Sequence, residues 1–293
     1  MNDKQPNRLG WSFSSPYLIY TLIFFLVPLM ASVYLAFTDW NLISPDYKWI
    51  GLKNFSKALK SPEVLAACIN TFKFMVLFVP MVLVSSTVLA LVIHGLPKFR
   101  GFYLIGFFLP YLASGVTSSL IVKGILSYNS PVNTFLREQW GMDIDWLGTP
   151  SMALSVIAVM IAWKFTGYYS LILTSGLENI NQEIYEAAAI DGVTPWKRFT
   201  KITLPLLYPA LYTVIILAIG VTFGIFTEVY QLTGGGPDYA TTTWQMNIFT
   251  EAFSNLSAGF ASGIAIISSV VTFISIFIIR KLLELWGKRN GWT

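Results

Sequence analysis

Apolar positions in this chain come in long, almost uncharged blocks, with polar stretches between them. Six blocks are long enough to cross about 30 Å of hydrocarbon as helices. They run from Pro16 to Phe37, about Phe72 to Ile93, about Phe102 to Val122, about Met152 to Leu173, about Leu206 to Tyr230, and Phe260 to Ile279. The pattern predicts an all-α polytopic membrane protein with six transmembrane helices. The first block is too long for the core of a signal peptide and no small-x-small cleavage site follows it, so it reads as a retained anchor helix. Pro80 and Pro110 fall inside the second and third blocks. Proline is tolerated there because neighbouring helices and hydroxyls such as those of Ser85 and Ser86 can satisfy the freed carbonyl. Ser114, Gly115, Ser118 and Ser119 are small enough for close helix packing.

The polar stretches decide the orientation. Residues 38–69 form a loop in which Lys53 to Lys60 reads as a short amphipathic surface helix. Gly95 to Arg100 is a tight turn, and residues 124–150 carry Arg137, Glu138, Asp143 and Asp145. Six spans put both termini on one side, and positive charge marks the cytoplasmic side. With the termini inside, the inner segments hold Lys4, Arg8, Lys98, Arg100, Lys197, Arg198, Lys201, Arg280, Lys281, Lys288 and Arg289, eleven of the nineteen basic residues. The outer loops hold Lys48, Lys53, Lys57, Lys60 and Arg137, only five. Both termini and the loop after the fourth span are therefore placed in the cytoplasm. In a Cys68→Ser background, Asn255→Cys is expected to react with an impermeant thiol reagent from outside, and Asn290→Cys only after lysis. The reverse labelling would overturn this topology.

Composition narrows the function. Hydrophobic residues make up 55% and charged residues 12%, about half the charge of a soluble domain. Aromatics, at 16%, are abundant enough for interfacial belts. The net charge of +4 forms no dense basic patch, so nucleic acid is not implicated. One cysteine, Cys68, and one histidine, His94, exclude an intrachain disulfide and a His/Cys metal cluster. No G-x-x-x-x-G-K-[ST] occurs, so the chain has no P-loop for ATP. Gly234-Gly235-Gly236-Pro237 opens the last outer stretch and reads as a turn requiring positive φ.

Ionisable residues inside spans are candidates for function. Lys164 is the deepest. Its long stem can alternatively carry the ammonium to the inner headgroups. Glu228 lies near the outer end of the fifth span, where with Tyr230 and Gln231 it could line an outer vestibule. Hydroxyl-rich solutes are bound by such groups and by stacking on aromatics such as Tyr168. Lys164, Tyr168, Glu228, Tyr230 and Gln231 are the candidate path residues.

The stretch from Leu177 to Pro205 is the most specific in the chain. Ile180, Ile184 and Ala187 or Ala188 fall at helical spacing on one face. Gly192 sits where a left-handed residue would end that helix. Thr194 can cap a second helix that has Pro195 at its first position, with Trp196, Phe199 and Ile202 on an apolar face and Lys197, Arg198 and Lys201 on a basic one. Glu186-Ala187-Ala188, then Gly192, then Ile202-x-Leu204-Pro205 resembles the signature loop of permease subunits of binding-protein-dependent ABC importers, with every fixed position filled. Leu177-Glu178-Asn179-Ile180 and Leu232-Thr233-Gly234-Gly235-Gly236-Pro237 resemble the sugar branch of that family. The resemblance covers roughly residues 66–281, leaving 1–65 as tail, first helix and outer loop, and 282–293 as a cytoplasmic tail.

That resemblance implies a type I importer permease fold in a bacterial or archaeal cytoplasmic membrane. It makes Glu186, Ala187, Ala188, Asp191, Gly192, Ile202, Leu204 and Pro205 the element that docks on an ATPase. It further implies two ATPase subunits, a second homologous permease, an extracytoplasmic sugar-binding protein, a carbohydrate substrate and surrounding lipid. It implies no cofactor and no catalysis by this chain. An ion-driven transporter would show internal repeats and paired intramembrane acids, and a membrane enzyme would need several convergent reactive groups. The sequence shows neither.

Overall fold

The computed structural model describes residues 8–292; Lys4, counted in the inner charge above, lies outside them. Among the described residues the regular structure is helical, apart from an isolated antiparallel bridge between Thr38 and Trp49. The chain divides into two compact units, Met1–Ser61 with Ile248–Ile267, and Pro62–Asn247 with Ser268–Thr293.

In the first unit, helix α1 covers residues 8–35, with one wider turn at Leu22–Leu26. None of residues 10–35 is buried by the rest of the chain. The predicted surface helix forms as α2 (Lys53–Lys60). It is held by Asn54, whose Nδ2 donates to the carbonyls of Ala36 at 2.9 Å and Thr38 at 2.7 Å. The Lys57 ammonium lies 3.8 Å from the centre of the Phe260 ring, a favourable approach of a cation to an aromatic face.

The second unit begins with α3 (Pro62–Gly95), which is 34 residues long and contains Pro80 without breaking. The third predicted span is not one helix. It is α4 (Arg100–Leu112) and α5 (Gly115–Leu126), bent sharply at Ala113–Ser114, with the Ser114 hydroxyl accepting from Thr117 N–H. The polar segment after it contains α6 (Pro131–Trp140). The fourth span is α7 (Pro150–Glu178). The fifth is also broken: α10 (Tyr208–Gly224) is bent by 68° from the helical segment before it at Leu207 and stops before the non-helical Ile225–Phe226, and α11 (Thr227–Leu232) follows them. A short helix, α12, covers residues 244–254, and α13 is Ala258–Asn290, the first turns of which belong to the first unit.

The core of the second unit is built around α7. Ile157, Ile161, Tyr169, Leu173 and Leu177 are buried in one cluster with Phe74, Phe78 and Val82, which recur every fourth residue on α3. In hydrocarbon, apolar burial does not itself drive helices together, so close packing and interhelical hydrogen bonds carry the association. Ser85 on α3 and Thr166 on α7 join at 2.7 Å. One residue along, the backbone of α4 at Phe107 lies where a side chain on Gly167 would be.

At the outer end, Asn70 Nδ2 donates to the carbonyls of Tyr239 at 2.7 Å and Thr242 at 3.1 Å, and Asn247 Nδ2 donates to Glu63 O at 2.9 Å. The Tyr239 phenol donates to a Glu63 carboxylate oxygen at 3.0 Å, and that bond raises its pKa. Gly234 and Gly235 adopt positive φ, 61° and 88°. The turn is closed by Thr241 Oγ1 donating to Gly236 O at 2.8 Å and Thr242 Oγ1 to Gly235 O at 2.9 Å. These hydroxyl protons are spent on the loop itself, which makes the glycine turn a rigid cap. At the other end, Tyr208 packs against Trp286 and Trp292, with ring centres 5.6 and 5.7 Å away, the two indoles being 4.5 Å from each other, and its hydroxyl donates to Leu283 O at 2.5 Å.

Candidate functional site

Two regions of the second unit carry the residues singled out above. The first is the loop that follows α7. Contrary to the single face expected for Ile180, Ile184 and the alanines, α7 ends at Glu178 and Ile180 lies in a break. Asn181 causes the restart: its side chain accepts from Glu183 N–H and caps α8 (Gln182–Ile190). Asp191 is the C-cap, and Gly192 follows at φ 67°. Gly192 N–H donates to Ala189 O at 3.1 Å and Val193 N–H to Ala188 O at 3.0 Å, the paired closure that requires a left-handed residue between them.

Thr194 takes the N-cap position of the next helix, α9 (Pro195–Leu206), but its side chain makes no capping bond. Ile202 sits in a wider turn, Phe199–Thr203, and Leu204 and Pro205 continue the helix to a bend at Leu207. The two arms are braced. Tyr185 OH and Thr203 Oγ1 meet at 3.2 Å, and the Arg198 guanidinium lies over the Tyr185 ring. Glu186, Ala187, Ala189, Asp191 and Gly192 are exposed, whereas Ala188 is buried against its own chain. Of the three alanines, Ala187 and Ala189 are thus the small side chains left open to a partner.

Sequence reasoning missed the tip. Ile190 is 86% exposed, and Trp196 across the turn is 72% exposed. Two large apolar side chains on a braced, protruding turn suit burial in a partner's cleft better than water. An apolar residue one position before the C-cap, off the buried Ala188 face, was the available signal.

The second region lies roughly halfway along α7, about 21 Å from its outer end at 1.5 Å per residue. Lys164 is buried and paired. Its Nζ lies 3.2 Å from Glu228 Oε1, and the two side chains are only 9% and 13% exposed. The two residues, read separately from sequence, form one buried ion pair. Glu228 is the second residue of α11, just past the break in the fifth span. Its carboxylate rests on Gly115, the first residue of α5, just past the break in the third.

Tyr168, one turn from Lys164 on the same face, stacks on Tyr111 with ring centres 4.5 Å apart and planes within 9°. Tyr111 immediately precedes the bend in the third span. Tyr230 and Gln231 do not join the pair directly. Tyr230 is half-exposed and stacks on Phe226, and the Gln231 carbonyl accepts from Lys123 Nζ at 3.3 Å. Both broken spans therefore converge on one face of an unbroken helix, at a site with two opposite charges and two stacked phenols.

Two broken spans beside an unbroken helix, with a braced loop after it, suit a subunit that spans a membrane and docks on a partner. The family described as binding-protein-dependent transport system inner membrane component matches residues 7–285. The chain belongs to that family. As an inner-membrane permease it is not an enzyme, and in such systems ATP hydrolysis resides on separate subunits.

Among curated permeases, the lactose transport system permease protein LacF of Rhizobium radiobacter is 32% identical, the alignment covering 93% of this chain and 94% of that one. The trehalose/maltose transport system permease protein MalF of Thermococcus litoralis is 30% identical over 90% of each. The multiple sugar-binding transport system permease protein MsmF of Streptococcus mutans is 28% identical over 89% and 90%. A bacterial ABC transporter involved in the import of the acidic polysaccharide alginate has a chain of the same fold, with TM-score 0.82 and 23% identity over 97% of this permease and 96% of that chain.

Proposed function

We propose that this permease conducts a carbohydrate inward and couples to two ATPase subunits through residues 182–206, beside a second, homologous permease and an extracytoplasmic sugar-binding protein. The observation that carries the coupling is the loop itself. It is closed at Gly192, braced by Tyr185 and Thr203, and tipped by the exposed Ile190 and Trp196. A stiff element with an apolar tip and Glu186 exposed beside it can transmit a partner's movement as a rigid body. A partner shifts the spans only by binding one arrangement better than the other, so a slack loop would lose the signal. The carbohydrate rests on the relatives, three of which are named for sugars.

Lys164, Tyr168 and Glu228 line the path at mid-depth in this reading, with Tyr230 and Gln231 nearer the outer mouth. Broken spans also occur in ion-driven transporters, but the family assignment favours ATP. The test is purification of the tagged chain from its native membranes, followed by a ligand screen with mono- and oligosaccharides against any binding protein that stimulates the purified complex. Recovery of an ATPase and a second permease with a carbohydrate-binding partner is the expected result. Recovery of the chain alone would overturn the reading.

A further inference from the structure

We propose that Lys164, Glu228 and Gly115 form a latch that holds the two broken spans against α7 and parts during each transport cycle. The inference rests on the permease reading above and adds a moving part to it.

Three ion pairs occur among the described residues. Arg137–Asp143 and Arg280–Glu284 are largely exposed, and only Lys164–Glu228 is buried. A buried pair is poor evidence of stability, because well-packed apolar residues of similar volume often serve as well or better. A pair in that position needs another account, and its neighbours supply one.

The helices α5 and α11 are tied to each other near both ends of their contact. Lys123 Nζ donates to Gln231 O at 3.3 Å. A methyl group on Gly115 would stand 2.8 Å from Glu228 Oε1, 3.0 Å from Thr227 Cγ2 and 3.2 Å from the Glu228 carboxyl carbon, so a side chain at residue 115 would displace the carboxylate from its present seat. The two helices form one leaf. Each is joined to the rest of its span by a non-helical break, at Ala113–Ser114 and at Ile225–Phe226. Unbroken α7 is the post against which the leaf can swing, and Lys164–Glu228 is the ion pair between leaf and post.

The chemistry suits a contact that opens. The Lys164 ammonium has three N–H donors, and one is engaged with Glu228. The others, and the second carboxylate oxygen, can take up water or solute hydroxyls as the pair separates. Neither charge is then left bare in a low-dielectric site, which would be costly. Lys164, Glu228 and Gly115 are positioning residues in this account, since they set the position of the leaf.

The test uses the intact complex in nanodiscs with Mg-ATP and no binding protein. The neutral double variant Lys164→Met/Glu228→Gln removes the pair without stranding a charge. It is expected to assemble normally and to raise unstimulated ATP hydrolysis on the order of tenfold, within the usual range for coupling between sites. Gly115→Val, which displaces the carboxylate and alters no charge, is expected to do the same. Lys164→Glu and Glu228→Lys singly should raise it or impair assembly, and the charge-swapped double variant should return it to near the wild-type rate. Wild-type hydrolysis in the neutral double variant, or a swap no better than the single reversals, would overturn the latch. A wild-type chain that retains no ATPase in the same preparation would overturn the ATPase-coupling reading beneath it.

Discussion

Gly192→Val and Glu186→Lys are expected to leave the permease inserted at normal abundance while releasing its ATPase. Gly192 stands at φ 67°, with nothing within 4 Å of where a Cβ would be. The penalty for valine is therefore entirely in the backbone, about 1–2 kcal/mol for a left-handed residue with a Cβ. That is too little to unfold a bundle of six spans. It is enough to reopen the closure at Ala188 and Ala189 and redirect Ile190, the residue that would enter the partner. Asparagine, which tolerates this conformation, is expected to be the mildest replacement.

Glu186 makes a different contribution. It is exposed in the permease alone, so lysine costs the isolated chain little. In the proposed docking, where Glu186 would meet a positive charge of the ATPase, its removal would strand that buried charge, at a cost of about 3–5 kcal/mol. Both variants should show weakened co-purification of the ATPase and loss of hydrolysis stimulated by the loaded binding protein. Full retention and full stimulation in both would reduce residues 182–206 to a connector.

Gly167→Leu is expected to have the largest effect on the fold. The backbone carbonyl of Phe107 and, 2.8 Å away, the amide nitrogen of Phe108 occupy the space a side chain would need. Backbone inside a helix cannot swing aside as a flexible side chain can. Overpacking a well-filled site costs typically about 1–3 kcal/mol, occasionally more, and here α4 would have to leave α7. The Tyr111–Tyr168 stack and the seat of Glu228 on Gly115 lie next to that contact and should be lost with it. The expected outcome is a several-fold drop of the full-length chain in the membrane fraction and a lower aggregation temperature in detergent. Gly106→Leu, on the same α4 but with open space around it, is the control and should be tolerated. Equal abundance of the two variants would contradict the packing described.

The spans were legible because a membrane demands long apolar blocks, and this chain has few charges to interrupt them. The end of α8 was legible because a glycine just past a helical pattern, followed by Thr194-Pro195, has few other structural uses. The breaks were not. Pro110 was visible, but α4 continues through it and stops at Leu112, where Ser114 captures the next helix. Serines in a span read equally well as packing residues. The break at Ile225–Phe226 has no proline, and Gly224 before it resembles any helical glycine. The Lys164–Glu228 pair joins residues 64 positions apart, and no local pattern announces such a pairing. Asn181 restarts the helix that Ile180 was expected to share, because a capping asparagine competes successfully with two more residues of helix.

Ile190 gives the most direct measurement. It is 86% exposed at the tip of the braced loop, and a photo-crosslinking benzoylphenylalanine there can replace one apolar side chain with another. Irradiation of membranes containing the assembled transporter should yield an adduct of this permease with an ATPase subunit. The same probe at Ile43, 75% exposed in the predicted outer loop, should yield none. No ATPase adduct from position 190 in complexes that retain the subunit, or an equal yield from position 43, would contradict docking through this loop.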